Sequence, residues 1–274
     1  MKKIFLISAL ALLVAACASQ PVKQNFTLQG DHGKLAAVLQ APSQKTTYPL
    51  VIIAHGFNAN KEMPLLTELS RQLNARGIAT LLFDFNGHGH SEGSFLDMTI
   101  PNELEDARRV YAYAEQLPGV TSIAAVGHSM GAVVVAMLAG EVGADKIKTI
   151  VLMSPAPELP IDTAKGDLFG VRYDPKNPPE YITLGNGLKV GRAFLKTTQT
   201  VPIYETAQKF AGPVWVVHSK DDQLVPYAYG VEFSEIYKNA QLKTLQGLDH
   251  NFTQDTPGVD KMVADYFAEQ LIKE

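Results

Sequence analysis

From Leu50 onward the chain alternates short apolar runs with longer segments in which apolar residues recur at helical spacing, and few folds accept that alternation. Leu50 to Ala54, Ile78 to Phe83, Ser122 to Gly127 and Thr149 to Met153 read as buried strands, apolar enough to be covered on both faces. Pro64 to Arg76 carries Leu65, Leu66, Leu69 and Leu73 on one helical face, with Gly77 where a C-terminal cap belongs. A second helix is predicted to open near Pro101 with Leu104, Ala107, Tyr111, Ala114 and Leu117 as its stripe, and Ser129 to Gly140 supplies a third, rich in Ala and Val. Such repetition makes an α/β fold, a mostly parallel central sheet with helices on both faces. The rhythm breaks between Ala156 and about Thr206, where Pro and Gly are frequent and no period is sustained. That is too long for a plain connection in a compact domain, so 156–206 is read as a small cap inserted over the sheet. The core resumes with Pro213 to His218, a helix near Tyr227 to Lys238, the strand Gln241 to Leu245 and a closing helix, Val259 to Ile272, faced by Val259, Met262, Val263, Tyr266 and Phe267. Ahead of Leu50, Asn25 to Gln29 and Lys34 to Gln40 flank Gly30-Asp31-His32-Gly33 as an antiparallel hairpin. With 274 residues, 46% of them hydrophobic, one domain over 25–274 accounts for the core.

Open sheets of this kind keep their chemistry at the carboxyl ends of the strands. There, Gly127-His128-Ser129-Met130-Gly131 follows an apolar strand and opens a helix, the context of a G-x-S-x-G nucleophile elbow. The turn is so sharp that side chains at both glycine positions would meet backbone, while the helix N-terminus faces any anion forming at the serine oxygen. A serine hydroxyl needs a base to take its proton, and histidine titrates near neutral pH. His250 lies beyond the last strand in Gly247-Leu248-Asp249-His250-Asn251-Phe252, and Asp221 and Asp222 both follow the strand before it as candidate orienting acids. His218, ending its own strand, reads as a structural hydrogen-bonding group, and His128 should point away from the serine. His55 reads as a buried brace for its loop. His88 and His90 share a Gly turn without a third metal ligand, so no metal and no cofactor is expected.

The elbow, His55-Gly56-Phe57, Asp84-Phe85-Asn86-Gly87-His88-Gly89-His90-Ser91, the Asp222 loop, the His250 loop and Pro202-Ile203-Tyr204-Glu205 together resemble an α/β-hydrolase, and more narrowly the bacterial feruloyl or cinnamoyl esterases. The resemblance runs from about Leu50 to the C-terminus. It implies the order serine, acid, histidine along the chain, and its Asp-x-x-Val-Pro spacing selects Asp222 over Asp221. It also implies that the backbone N–H groups of Phe57 and Met130 form the oxyanion hole. The implied activity is hydrolysis of carboxylic esters by Ser129, Asp222 and His250, on aromatic or short-chain acyl groups. Members of that family grip a phenolic ring with polar cap residues. Asp162 falls where such an acid would sit, while Phe194 stands where some members carry a tyrosine; Phe169, Tyr173 and Tyr181 are further aromatic candidates in the cap.

The N-terminus carries a different message. Lys2 and Lys3 precede an almost unbroken apolar run, Ile4 to Ala16, too short to span a bilayer as a helix. Val14-Ala15-Ala16-Cys17 resembles a bacterial lipobox, which implies a signal peptide over 1–16, lipid on Cys17 and a tether over 17–24. The alternative is an ordinary signal peptide with an incidental cysteine. Ala18, where an aspartate would favour the inner membrane, points by the same resemblance to the outer membrane of a bacterial cell envelope. Cys17 is the one cysteine, so no internal disulfide forms. A net charge of −4 leaves no basic excess for nucleic acid. The expected partners are therefore a small ester and, through Cys17, a membrane. Two other functions stay open: a peptidase or lysophospholipase-type hydrolase at the envelope, and a non-enzymatic lipoprotein on the same scaffold.

Overall fold

The computed structural model describes residues 21–43 and 45–272; Cys17, the signal segment and the start of the tether lie outside them. The chain opens with an antiparallel hairpin, β1 (Val22–Gln29) and β2 (Lys34–Ala41), followed by β3 (Tyr48–Ala54), α1 (Pro64–Ala75), β4 (Ala79–Phe83) and α2 (Ile100–Glu115). Next come β5 (Val120–His128), α3 (Met130–Val142) and β6 (Ile147–Met153). The cap holds α4 (Leu159–Lys165), two small hairpins, β7 (Asp167–Leu168) with β8 (Val171–Arg172) and β9 (Tyr181–Thr183) with β10 (Lys189–Gly191), and α5 (Arg192–Thr197). After α6 (Ile203–Ala207) the core continues through β11 (Val214–Ser219), α7 (Tyr227–Glu235), β12 (Ala240–Leu245) and α8 (Thr256–Leu271). Eight strands form one sheet in the order β1-β2-β4-β3-β5-β6-β11-β12, parallel except where β2 pairs with β1 and with β4.

Alternation along each strand divides the core into two layers. Leu50 and Ile52 of β3 face the layer of α2 and α3, together with Leu81, Ile123, Leu152 and Val216. Val51 and Ile53 face the other, where Leu65, Leu66, Leu69 and Leu73 of α1 meet Val259, Val263 and Phe267 of α8. The helix α3 is buried from Met130 to Ala139 on every side, so it lacks the stripe that a helix with one wet face would show.

Three differences from the sequence reading have local causes. The hairpin begins at Val22, because Val22 to Gln24 pair with Leu39 to Ala41, so that part of 17–24 is strand and not tether. The cap has regular structure of its own, in pieces as short as two residues, too short for a period to be visible. Its last turn belongs to the body: α6 packs on α3 so closely that a Cβ on Gly140 would lie 2.0 Å from the Thr206 carbonyl oxygen.

Candidate active site

Ser129 sits at the tip of β5 with φ 57° and ψ −123°, a backbone conformation that costs about 1–3 kcal/mol and persists only where its surroundings impose it. Here the Ser129 N–H donates to the Met153 carbonyl at 2.9 Å, pinning the turn to β6. A Cβ on Gly127 would lie 2.2 Å from the Gly131 carbonyl oxygen, and one on Gly131 the same distance from that of His55. Both glycines are therefore required by the fold of the elbow.

His250 lies in the loop between β12 and α8, and its Nδ1–H donates to Asp222 Oδ2 at 2.7 Å. That bond leaves Nε2 as the ring nitrogen free to take a proton. Asp222 is held in turn: Oδ1 accepts the N–H groups of Leu224 and Val225, both at 2.9 Å, and Oδ2 also accepts His218 Nε2–H at 3.1 Å. Burial opposes charge on this carboxyl, but the hydrogen bonds from His218 and His250 outweigh it and hold Asp222 well below the usual carboxylate range. Asp221 faces elsewhere, accepting the Gly247 N–H at 2.6 Å and so tying its loop to the one that leads to His250.

The other buried histidines are braces. His128 donates from Nε2 to the His250 carbonyl at 2.9 Å, and burial with His250 nearby lowers it to about 3. His55 donates from Nδ1 to the Gly56 carbonyl at 2.9 Å and accepts the Phe85 N–H at 3.1 Å; burial and His88 lower it to about 3. Asp84 fixes the same loop, taking the Lys61 N–H at 2.7 Å and the Lys61 ammonium at 2.6 Å. His88 is buried toward Glu103 and His90 is exposed, so the pair does not converge.

The loop so braced touches Ser129: a Cβ on Gly56 would lie 3.0 Å from that of Ser129. Phe57 and Met130 line the same cavity as Ser129 and His250, of about 390 Å³. The Met130 N–H is in the first turn of α3, where no intrahelical acceptor exists, and the Phe57 N–H meets no acceptor among the described residues. Ser129 Oγ opens on this cavity without a hydrogen bond to His250, a contact that in free enzymes often tightens only with substrate.

Of the cap residues, Phe169 lines the cavity. Asp162 does not; it lines an adjoining cavity of about 450 Å³. Tyr173 and Phe194 depart from the expectation of substrate contact. The Tyr173 hydroxyl donates to the Thr163 carbonyl at 3.2 Å, bracing the cap, and Phe194 is fully buried beneath Phe57, ring centres 5.7 Å apart. Tyr181 lies under Lys189 of the neighbouring strand, 4.2 Å from the ring centre. Glu158, Leu224 and Asn58 line the cavity and have no motif to announce them; Glu158 alone carried a signal, an acid in a proline-flanked run just past the end of β6.

Known proteins share this fold. Est1E from Butyrivibrio proteoclasticus with ferulic acid bound is 34% identical with a TM-score of 0.86, covering 89% of this chain and 98% of that one. Human protein ABHD12B is 26% identical over 234 residues, 81% of this chain and 61% of its own, so the chain spans about three fifths of that relative. The non-heme chloroperoxidase CPO-A1 of Kitasatospora aureofaciens is 28% identical over 255 residues, 76% of this chain and 86% of its own. The family described as TAP-like protein matches residues 187–273, and that described as alpha/beta hydrolase fold matches residues 49–194. The latter covers more than half of the chain, which therefore belongs to the α/β-hydrolase family.

Proposed function

We propose that the chain is a serine esterase that cleaves carboxylic esters through an acyl-enzyme on Ser129. The observation that carries this reading is one cavity shared by a strained serine on an elbow, a histidine oriented by a buried carboxylate, and two free backbone N–H groups. In the first step Ser129 Oγ attacks the ester carbonyl while His250 Nε2 takes its proton, and the Asp222 carboxylate stabilises the imidazolium that results. The negative charge moves to the carbonyl oxygen, where the Phe57 and Met130 N–H groups receive it. Collapse expels the alcohol, protonated by His250; water activated by the same ring then releases the acid and restores the serine.

Est1E with ferulic acid bound supports an aromatic acyl group, and Asp162 in the adjoining cavity is the side chain to accept a phenolic hydroxyl. A longer aliphatic acyl group, as in a lysophospholipid, is favoured by one other observation. Leu224, Phe169 and Ile161 are exposed by 52%, 43% and 42%, unusual for large apolar side chains, and the first two border the cavity. The lipobox-like stretch supports anchoring of the chain through lipid on Cys17 at a bacterial envelope. A panel of methyl hydroxycinnamates, p-nitrophenyl esters, lysophospholipids and aminoacyl anilides, run on wild type and Ser129→Ala, tests the reading. Ester turnover lost in the variant is expected; anilide turnover without ester turnover overturns it. Membrane partition that survives a salt wash in wild type but not in Cys17→Ser tests the anchor.

A further inference from the structure

The histidine at the end of β11 is kept in place at two costs that a simple brace would not require. His218 is fully buried, and its Nε2 faces two acceptors at once, Asp222 Oδ2 and the Val225 carbonyl, each at 3.1 Å. A ring nitrogen between two acceptors carries the proton, so Nε2–H is the donor and Nδ1 is the bare nitrogen. Nδ1 is buried without a hydrogen-bond partner among the described residues, which is the first cost. The second lies opposite, on α7. Gly230 is an interior residue of that helix, where glycine is disfavoured relative to alanine, and a Cβ there would lie 2.4 Å from His218 Nδ1. The glycine leaves room for the ring, and the ring delivers one N–H to one place: the carboxylate oxygen that also receives His250 Nδ1–H at 2.7 Å.

We propose that His218 is a positioning residue of the Ser129 site: by donating to Asp222 Oδ2 it fixes that oxygen and takes a share of its charge, and so sets the pH at which His250 becomes a working base. This rests on the serine-hydrolase reading and adds to it a control on the base. Asp222 Oδ1 is already filled by the N–H groups of Leu224 and Val225, so Oδ2 is the atom through which the carboxylate acts on His250. A hydrogen bond to a charged form spreads its charge, and what Oδ2 gives to His218 is withheld from the imidazolium formed when His250 takes a proton. Without the His218 donor the same oxygen would hold that imidazolium more tightly. His250 would then stay protonated, and idle, up to a higher pH. The other titratable groups around the three side chains act elsewhere. His128 on β5 is lowered to about 3 by burial and His250, and Glu158 after β6 is pushed up to about 8 by burial, so neither titrates between those values. Tyr227 on α7 presents its ring to His218, centres 5.8 Å apart, with its hydroxyl paired to Thr244 of β12.

The test is the pH profile of kcat/KM for one activated ester, from about pH 5 to about pH 9, on wild type, His218→Leu, His218→Gln and Gly230→Ala. Thermal unfolding of each variant confirms that it folds, and a fluorophosphonate confirms that Ser129 is reactive. In His218→Leu the acid limb should move to higher pH by about 0.5–1 unit. Its plateau kcat should fall by about ten- to a hundredfold, with KM little changed. His218→Gln keeps an N–H donor and should hold the limb near its wild-type position. Gly230→Ala pushes the ring from its place and should move the limb in the same direction as His218→Leu. In wild type, nitrogen-15 NMR of labelled histidine should find the His218 proton on Nε2. An acid limb that stays at its wild-type pH in His218→Leu and Gly230→Ala overturns the proposal however much activity is lost, since a packing role lowers the rate without moving the limb. A His218 proton found on Nδ1 overturns it too. Should His218→Leu fail to fold, Gly230→Ala and the tautomer decide. Absence of any labelling of Ser129 in wild type would instead bring down the serine reading, and this inference with it.

Discussion

The loops that follow β11 and β12 and the cap that follows β6 border the same cavity, yet the acid on the first, Asp222, accepts four hydrogen bonds while the acid on the second, Glu158, has one oxygen with no partner among the described residues. Asp222 accepts from Leu224, Val225, His218 and His250, and the His250 backbone is held by His128. On the cap, Phe169 and Ile161 stand largely in solvent, as Leu224 does on the loop after β11. Groups that move protons must be held within fractions of an ångström of their working geometry, which the bonded loops achieve before substrate arrives. Groups that select an acyl chain can wait for the chain to satisfy them. On the esterase reading proposed above, proton transfer falls to the bonded loops and acyl selection to the cap, two separate elements of the chain.

The sharpest way to break this contrast is at the bonded end. Ser129→Ala and His250→Ala should each lower kcat by about 10⁴-fold or more, and the double variant should lose little beyond either, since nucleophile and base act as a unit. Steady-state kinetics on one activated ester measures all three. Additive losses would mean that the two side chains do not cooperate. Asp222→Asn should follow with a loss on the order of 10⁴-fold at neutral pH, because an amide can neither fix the His250 tautomer nor stabilise the imidazolium. Asp221→Asn removes a loop-to-loop bond and should cost at most about tenfold, through a slightly misplaced His250. A reversed ranking of the two aspartates would refute the assignment drawn from the Asp222–His250 bond.

The same contrast explains what could be read from the residues alone. Strands apolar on both faces and helices with one stripe are long enough to show their period, so β3 to β6 and α1 to α3 were visible with errors of a residue or two at their ends. The elbow was visible because its geometry demands glycine at Gly127 and Gly131 and forbids most other choices. Aspartate numbering needed family spacing, since Asp221 and Asp222 are chemically identical and only the turn after β11 distinguishes them. The cap was opaque: Phe169, Tyr173 and Phe194 are all aromatic, and which one faces the cavity depends on packing between pieces of two to seven residues. Glu158 was missed because an acid at a loop is ordinarily solvated, and the prolines around it mark a turn without announcing burial.

At the cap a smaller effect should appear, and it should depend on substrate. Asp162→Ala is expected to lower kcat/KM for methyl ferulate by a factor corresponding to about 1–3 kcal/mol, the usual cost of removing one partner of a hydrogen bond to a charged group. Hydrolysis of p-nitrophenyl acetate, too short to reach the second cavity, should change little. Equal losses on both esters would assign Asp162 to the fold of the cap and erase the division between reactive and selective elements.

The last expected effect is on stability, similar in size to that at Asp162, and it separates the two regions by the sign of their response to pH. His128, on the bonded side, is lowered from 6.5 to about 3 by burial and His250, so the fold favours its neutral form. Its contribution is complete above 6.5 and is lost as pH falls toward 3. Glu158, on the cap side, is raised from 4.5 to about 8 by burial and its acidic neighbours, so the fold favours its protonated form. Its contribution is complete below 4.5 and is lost as pH rises through 8. Urea unfolding of wild type, His128→Gln and Glu158→Gln across this range should therefore give difference curves of opposite slope. The wild-type advantage over His128→Gln should shrink toward acid, while Glu158→Gln should gain on wild type toward alkali, each by about 1–3 kcal/mol. Two curves sloping the same way would show that one of these side chains is not buried in the protonation state its surroundings require. A flat Glu158→Gln curve would mean that the cap opens to water around that carboxyl, and that the unpaired oxygen is already hydrated before any acyl chain arrives.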